Sequence, residues 1–160
     1  MAYSDSVGDN AELLKRSLTR VTDFSGRSRR TEVIYLWIAV GLASVMLNII
    51  VTTIVPWPKS LMWSEISRVV LAAPIFAQFV RRLHDQDRSG WWGLLLPLAL
   101  LLGVAQAAVS IRGAMPDASD LSTNLGMLSG LCGMPVFFLS ILPGTEGANR
   151  YGPDPRLEDL

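Results

Sequence analysis

Residues able to do chemistry gather at three places in the chain: FSGRSRR at 24–30, RRLHDQDRSGWW at 81–92 and NRYGPDP at 149–155. His84, Asp85 and Ser89 suggest a hydrolytic triad. Sequence neighbours do not acquire triad geometry by adjacency, however, and no nucleophile elbow or oxyanion-hole motif accompanies them. One histidine with two aspartates also lacks the His/Cys density of a zinc site, and a cationic loop repels a divalent ion. The single Cys132 excludes an internal disulfide. No catalytic residue, metal or cofactor is therefore expected, and the chain reads as a non-enzyme.

Two roles remain for these charges. In one, Arg27, Arg29, Arg82 and Arg150 converge on an anionic headgroup or phosphate-bearing ligand, with Arg81, His84, Asp85 and Arg88 in the same candidate group. In the other they form a salt-bridged turn that fixes topology, Asp85 or Asp87 pairing with Arg81, Arg88 or an arginine of the first motif.

The elements that must position these motifs are visible as gaps between charges. Half of the 160 residues are apolar and only 18% are charged, against about 25% in an ordinary soluble domain. No charged residue occurs from Val33 to Pro58, from Ser89 to Ile111, or from Leu125 to Pro143. A soluble bundle helix needs a polar stripe, which these windows lack, so lipid is the expected solvent. The first thirty-two residues hold no apolar h-region, so no cleaved signal peptide is expected. The expected fold is all-α and polytopic, with transmembrane helices at about 33–55, 61–80, 91–109 and 125–143.

The second span must carry Glu65 and Arg68 in its early turns, three residues apart on one face, where they can pair or snorkel. Trp91 and Trp92 open the third as interfacial anchors, a role also expected of Tyr151. Pro97 and Pro135 are candidate kinks. Gly126 and Gly130 make a small-xxx-small step for close helix packing.

Orientation follows from the basic residues. Fourteen Lys and Arg balance fourteen Asp and Glu, and a net charge of zero excludes a nucleic-acid footprint. Their distribution is far from even. Lys15, Arg16, Arg20, Arg27, Arg29, Arg30, Arg81, Arg82, Arg88, Arg150 and Arg156 fall on one side of the predicted spans, and only Lys59, Arg68 and Arg112 on the other. Both termini and the 81–92 loop are thereby predicted cytoplasmic. Residues 1–23 form a cytoplasmic segment in which Asp9 and Glu12 can start a short amphipathic helix, with Leu14, Leu18 and Val21 opposite Lys15 and Arg16. Residues 24–155 form the transmembrane domain, and 156–160 the tail.

The three motifs also carry a resemblance. Arg81-Arg82-Leu83-His84-Asp85 followed by Arg88-Ser89-Gly90-Trp91-Trp92 resembles the hallmark of the bacterial family catalogued as domain of unknown function 805. The Gly26-Arg27-Ser28-Arg29-Arg30 run with Glu32, and Asn149-Arg150-Tyr151-Gly152-Pro153, are similar to that family's flanking motifs. Val33 and Ile34 stand where the family usually has aromatic residues. The resemblance implies a small multi-pass protein of the bacterial inner membrane and carries no activity with it.

The expected function is that of a non-enzymatic interaction or accessory component of a membrane assembly. Its partners would be membrane lipids, anionic ones included, and a membrane protein or a second copy of the chain. The alternative is a binder or transporter of a small anionic or lipid-like ligand, although the spans offer few midplane polar groups beyond Gln78, Gln106, Ser129 and Ser140.

Overall fold

The computed structural model describes residue 15 and residues 17–112 and 118–155. Four long helices dominate it: α1 (Arg30–Ile54), α2 (Lys59–Asp85), α3 (Leu95–Arg112) and α4 (Ala118–Ile141). A 3-10 helix, Gly90–Leu94, leads into α3. Among the described residues there is no strand, only an isolated antiparallel bridge between Asn149 and Gly152. All four helical segments are long and apolar enough to cross a membrane. The fold class is the all-α, polytopic one that the charge gaps imply.

The reason lies in where the apolar residues point. In α1 only Glu32, Val33 and Leu36 are buried, while Leu42, Met46 and Ile54 stand outward at 63–73% exposure. Such a helix is apolar on every side, so its outer surface needs lipid rather than water. In α4, Met127, Leu131 and Met134 are exposed in the same way.

The chain divides into two compact units. One gathers the described parts of Met1–Ala39, Ala73–Gly93 and Phe138–Leu160. Its core includes Val33, Leu36, Ile75, Phe79, Val80 and Leu83, and Phe24 meets Phe76 edge-on at 5.4 Å. Here α2 ends in a Schellman turn: the Arg88 N–H donates to the Leu83 carbonyl at 2.9 Å and the Asp87 N–H to that of His84 at 3.0 Å. Asp87 takes the left-handed position (φ 56°) that glycine usually fills. Gly93 then lets the 3-10 helix press on α2, since a Cβ there would lie 2.8 Å from Val80 Cγ2.

The other unit comprises Val40–Ala72 and Leu94–Phe137. Within it α3 and α4 run antiparallel, joined by Ser110 to Ser122 at 2.7 Å and by Ser129 Oγ donating to the Ala99 carbonyl at 2.8 Å. Gly126 sits on this seam, and a Cβ on it would lie 2.8 Å from Gln106 Nε2. Gly130 faces open space, so the two glycines do not share one intramolecular contact. Glu65 and Arg68 pair with each other, as their spacing allows.

The prolines fall differently from one another. Pro97 occupies the first turn of α3, where backbone N–H groups lack helical acceptors in any case, so it starts the helix rather than kinking it. Pro74 and Pro135 lie inside α2 and α4. Of the N-terminal helix, Lys15 and residues 17–19 are helical, with Ser17 buried and Leu18 exposed. Asp9, Glu12, Leu14 and Arg16, and the tail from 156 to 160, lie outside the described residues.

Candidate functional site

The three sequence motifs meet in the first unit, and a buried carboxylate is their centre. Arg27 Nε donates to Asp85 Oδ1 at 2.9 Å, and Arg82 Nη1 bonds Asp85 Oδ2. The side chains of Arg27, Arg82 and Asp85 are 1%, 2% and 6% exposed. Two guanidinium groups share one carboxylate, and burial makes each charge expensive unless its remaining donors are met. They are met by backbone carbonyls.

Arg27 spreads over the segment after α4, donating to the carbonyls of Gly147 at 2.5 Å, Thr145 at 2.7 Å and Gly152 at 3.4 Å. Arg82 donates to Ser140 at 3.2 Å, to Ser28 at 3.4 Å and to Leu142. The last four carbonyls of any helix lack intrahelical partners, and α4 has no basic residue of its own in its last turn. Arg82 therefore caps α4 from α2, assisted by Gln86, whose Nε2 donates to the Leu139 carbonyl at 2.5 Å. The Asp85 carbonyl in turn accepts from the Thr145 N–H at 2.8 Å and hydroxyl at 3.0 Å. Gly144 makes room for this contact, because a Cβ there would overlap the Asp85 carboxylate.

Further residues extend the clasp on either side. Arg81 bonds the carbonyls of Arg20, at 2.9 Å, and Asp23. It also meets Gln78 Oε1, while Gln78 Nε2 donates to Glu32 at 3.0 Å. Hydrogen bonding from the Ser25 hydroxyl, then from Arg20, holds the Asp23 carboxyl well below the usual carboxylate range. Arg29 Nε donates to the Pro155 carbonyl at 2.8 Å.

On the outer side, Asn149 Nδ2 donates to the His84 carbonyl at 2.9 Å, and the Tyr151 ring stacks on the His84 imidazole with centroids 4.0 Å apart and planes 6° apart. Arg150 lies over the same tyrosine and bonds Asp87, with Nε 3.0 Å from the carboxylate and Nη2 2.6 Å from the carbonyl.

The candidate residues thus separate into groups. Arg27, Arg82 and Asp85 share one buried node, whereas Arg29, Arg81 and Arg150 each serve a different acceptor, and Arg88 is exposed. Of the pairings open from sequence, Asp85 takes Arg27 and Arg82, and Asp87 takes Arg150. Trp91 and Trp92 are exposed at 78% and 51%, while Tyr151 is half-buried against His84.

Gln86, Thr145, Gly144 and Gly147 were not singled out from sequence. Gly144 and Gly147 act through backbone or through the lack of a side chain, which leaves no pattern to read, and Thr145 adds its hydroxyl to its backbone contacts. His84 Nδ1 lies 3.3 Å from the Gly26 carbonyl. Among the described residues no three His, Cys, Asp or Glu side chains gather as a metal site would require.

Comparison with known proteins agrees with this organisation. The sequence profile of a family described as "Protein of unknown function (DUF805)" matches residues 21–153, a range that runs through all three motifs. Inner membrane protein YhaI of Escherichia coli (strain K12) is 29% identical over 142 residues, covering 87% of this chain and 91% of the relative. Inner membrane protein YhaH of the same strain is 27% identical over 144 residues, covering 88% and 93%. Uncharacterized protein YiiR is 27% identical over 131 residues, covering 82% and 84%. No solved structure matches the chain. Four membrane-crossing helices together with inner-membrane relatives make it an integral membrane protein.

Proposed function

Since the chain belongs to the DUF805 family, we propose that it is a non-enzymatic inner-membrane component that presents a rigidly held helix bundle to another membrane protein. The observation that carries this reading is the arginine clasp. The chemistry-bearing side chains Arg27, Arg82 and Asp85 are buried and bonded to one another and to backbone carbonyls, so their work is holding helix ends in place. The clasp end and both termini are cytoplasmic, in keeping with the concentration of Lys and Arg there. Reporter fusions after residues 60, 85 and 118 test that orientation, with a cytoplasmic signal expected only at 85.

The docking face is the outer side of α4. Gly130 and Gly133 have no atom within 4 Å of where a Cβ would stand, and Met127, Leu131 and Met134 project beside them. Small residues let a second helix approach closely in lipid. Gly130→Ile adds bulk where none of the described residues is a neighbour. It is expected to abolish co-purification of the partner after gentle extraction, while thermal stability stays within about 0.5 kcal/mol of wild type. Wild-type protein that extracts as a bare monomer, or a partner retained equally by Gly130→Ile, would defeat the proposal. A self-associated species would identify the partner as a second copy.

A second reading draws on a cavity of about 420 Å³ bounded by Arg29, Arg30, Thr31 and Arg82 in the clasp unit. Arg30 is exposed there, at the start of α1, where a helix N-terminus and an arginine together favour an anionic headgroup. Stronger binding to anionic than to zwitterionic vesicles, reduced by Arg30→Ala, is the result this reading requires.

A further inference from the structure

The second unit holds a polar niche that the clasp does not use. A cavity of about 260 Å³ opens between α1 and α2, where Asn48, Glu65, Arg68 and three serines, Ser44, Ser64 and Ser67, stand among the apolar Val45, Ile49 and Leu71. Asn48 Nδ2 donates to Ser64 Oγ at 3.0 Å, and Arg68 Nη2 pairs with Glu65 Oε1. Glu65 lies six residues inside α2, or about 9 Å along its axis. Ionised groups at such a place in a membrane-crossing helix are costly and mark function more often than packing.

The pair is left unfinished on both sides. Glu65 Oε2 is buried without a hydrogen-bond partner among the described residues. Gly103 of α3 provides the space it occupies, since a Cβ there would lie 3.0 Å from Oε2. The Arg68 side chain is 54% exposed beside this pairing. Glu65 and Arg68 both line the cavity, and a carboxylate beside a half-exposed guanidinium suits a ligand that carries both an N–H-bearing ammonium and a phosphate. Val45 and Ile49 of the niche wall, with Ile66 and Val70 of α2, are exposed and apolar, as acyl chains would require.

We propose that this niche binds the headgroup of a phosphoethanolamine lipid, its ammonium donating to Glu65 and its phosphate held by Arg68. The site is separate from the clasp and from the α4 face, and it stands whether or not those readings do.

The test is native mass spectrometry of the full, delipidated chain offered equal amounts of phosphatidylethanolamine, phosphatidylcholine and phosphatidylglycerol. Phosphatidylethanolamine should be retained about tenfold over either competitor, because a trimethylammonium has no N–H to give the Glu65 carboxylate and a glycerol headgroup has no cation. Glu65→Gln should erase the preference, and Arg68→Gln should lower retention of all three lipids. Equal retention by the wild-type chain, or a preference unchanged in Glu65→Gln, overturns the proposal. Displacement of the lipid by an equal concentration of free phosphoethanolamine would overturn the lipid source in favour of a soluble zwitterion. Should the variants fail to fold, the wild-type ranking of phosphatidylethanolamine against phosphatidylcholine decides the matter alone.

Discussion

Asp85→Asn should lower the stability of the detergent-solubilised protein by about 3–5 kcal/mol, the cost of breaking a buried pair by removing one partner. The replacement keeps the shape of the side chain and one acceptor oxygen, so no cavity explains a loss. What disappears is the negative charge between Arg27 and Arg82, whose side chains are 1% and 2% exposed. Both guanidinium groups would then lose the carboxylate they share, and the partial charges of the backbone carbonyls around them do not replace it. Denaturant titration in a fixed detergent, followed by tryptophan fluorescence, measures the change. A loss below about 1 kcal/mol would mean that the charge is not what holds the node together.

Arg82→Lys should cost about 2–4 kcal/mol although it leaves the charge distribution across the membrane unchanged. Arg82 uses three nitrogens to reach Asp85 and the carbonyls of Ser28, Ser140 and Leu142. A lysine ammonium is a point donor and cannot cap the end of α4 while also meeting Asp85. If the motif served only the positive-inside rule, lysine would do as well as arginine. The same substitution at the exposed Arg88 is the control and should stay within about 0.5 kcal/mol. Equal effects at 82 and 88, read from the same titration, would contradict the capping role.

Particular residues show how much of this was legible in the sequence. The helices were, because a window such as Val33 to Pro58 has no charge on any face and lipid is the only solvent that suits it. The pairing of Glu65 with Arg68 was also legible, since residues three apart share a helix face. That the three motifs share one membrane face followed from the predicted topology, but their mutual geometry did not. Asp85 and Asp87 sit two residues apart in one turn and were equivalent on paper. The Schellman turn separates them, burying Asp85 with Arg27 and Arg82 and turning Asp87 out toward Arg150.

The acceptor half of the clasp was silent for a different reason. Ser140, Leu142, Thr145 and Gly147 receive arginine through their main-chain oxygens, which every residue possesses. The signal that could have exposed them was the absence of any basic residue in the last turn of α4, which requires a cap from elsewhere in the chain. Gly126 and Gly130 illustrate the limit of spacing rules. Both belong to one small-xxx-small step, yet Gln106 fills the space beside the first and none of the described residues lies within 4 Å of a Cβ on the second.

The central claim is that motifs far apart in sequence act as one buried electrostatic unit, and a double-mutant cycle between Arg27 and Asp85 tests it most directly. The two residues are 58 positions apart, so local helix propensity cannot couple them. Unfolding free energies of wild type, Arg27→Met, Asp85→Asn and the double variant, measured in one detergent, should give a coupling of at least about 2 kcal/mol. The double variant should be less damaged than the sum of the single losses. Losses that add to within about 0.5 kcal/mol would show that the two side chains act independently and that the clasp does not exist as described.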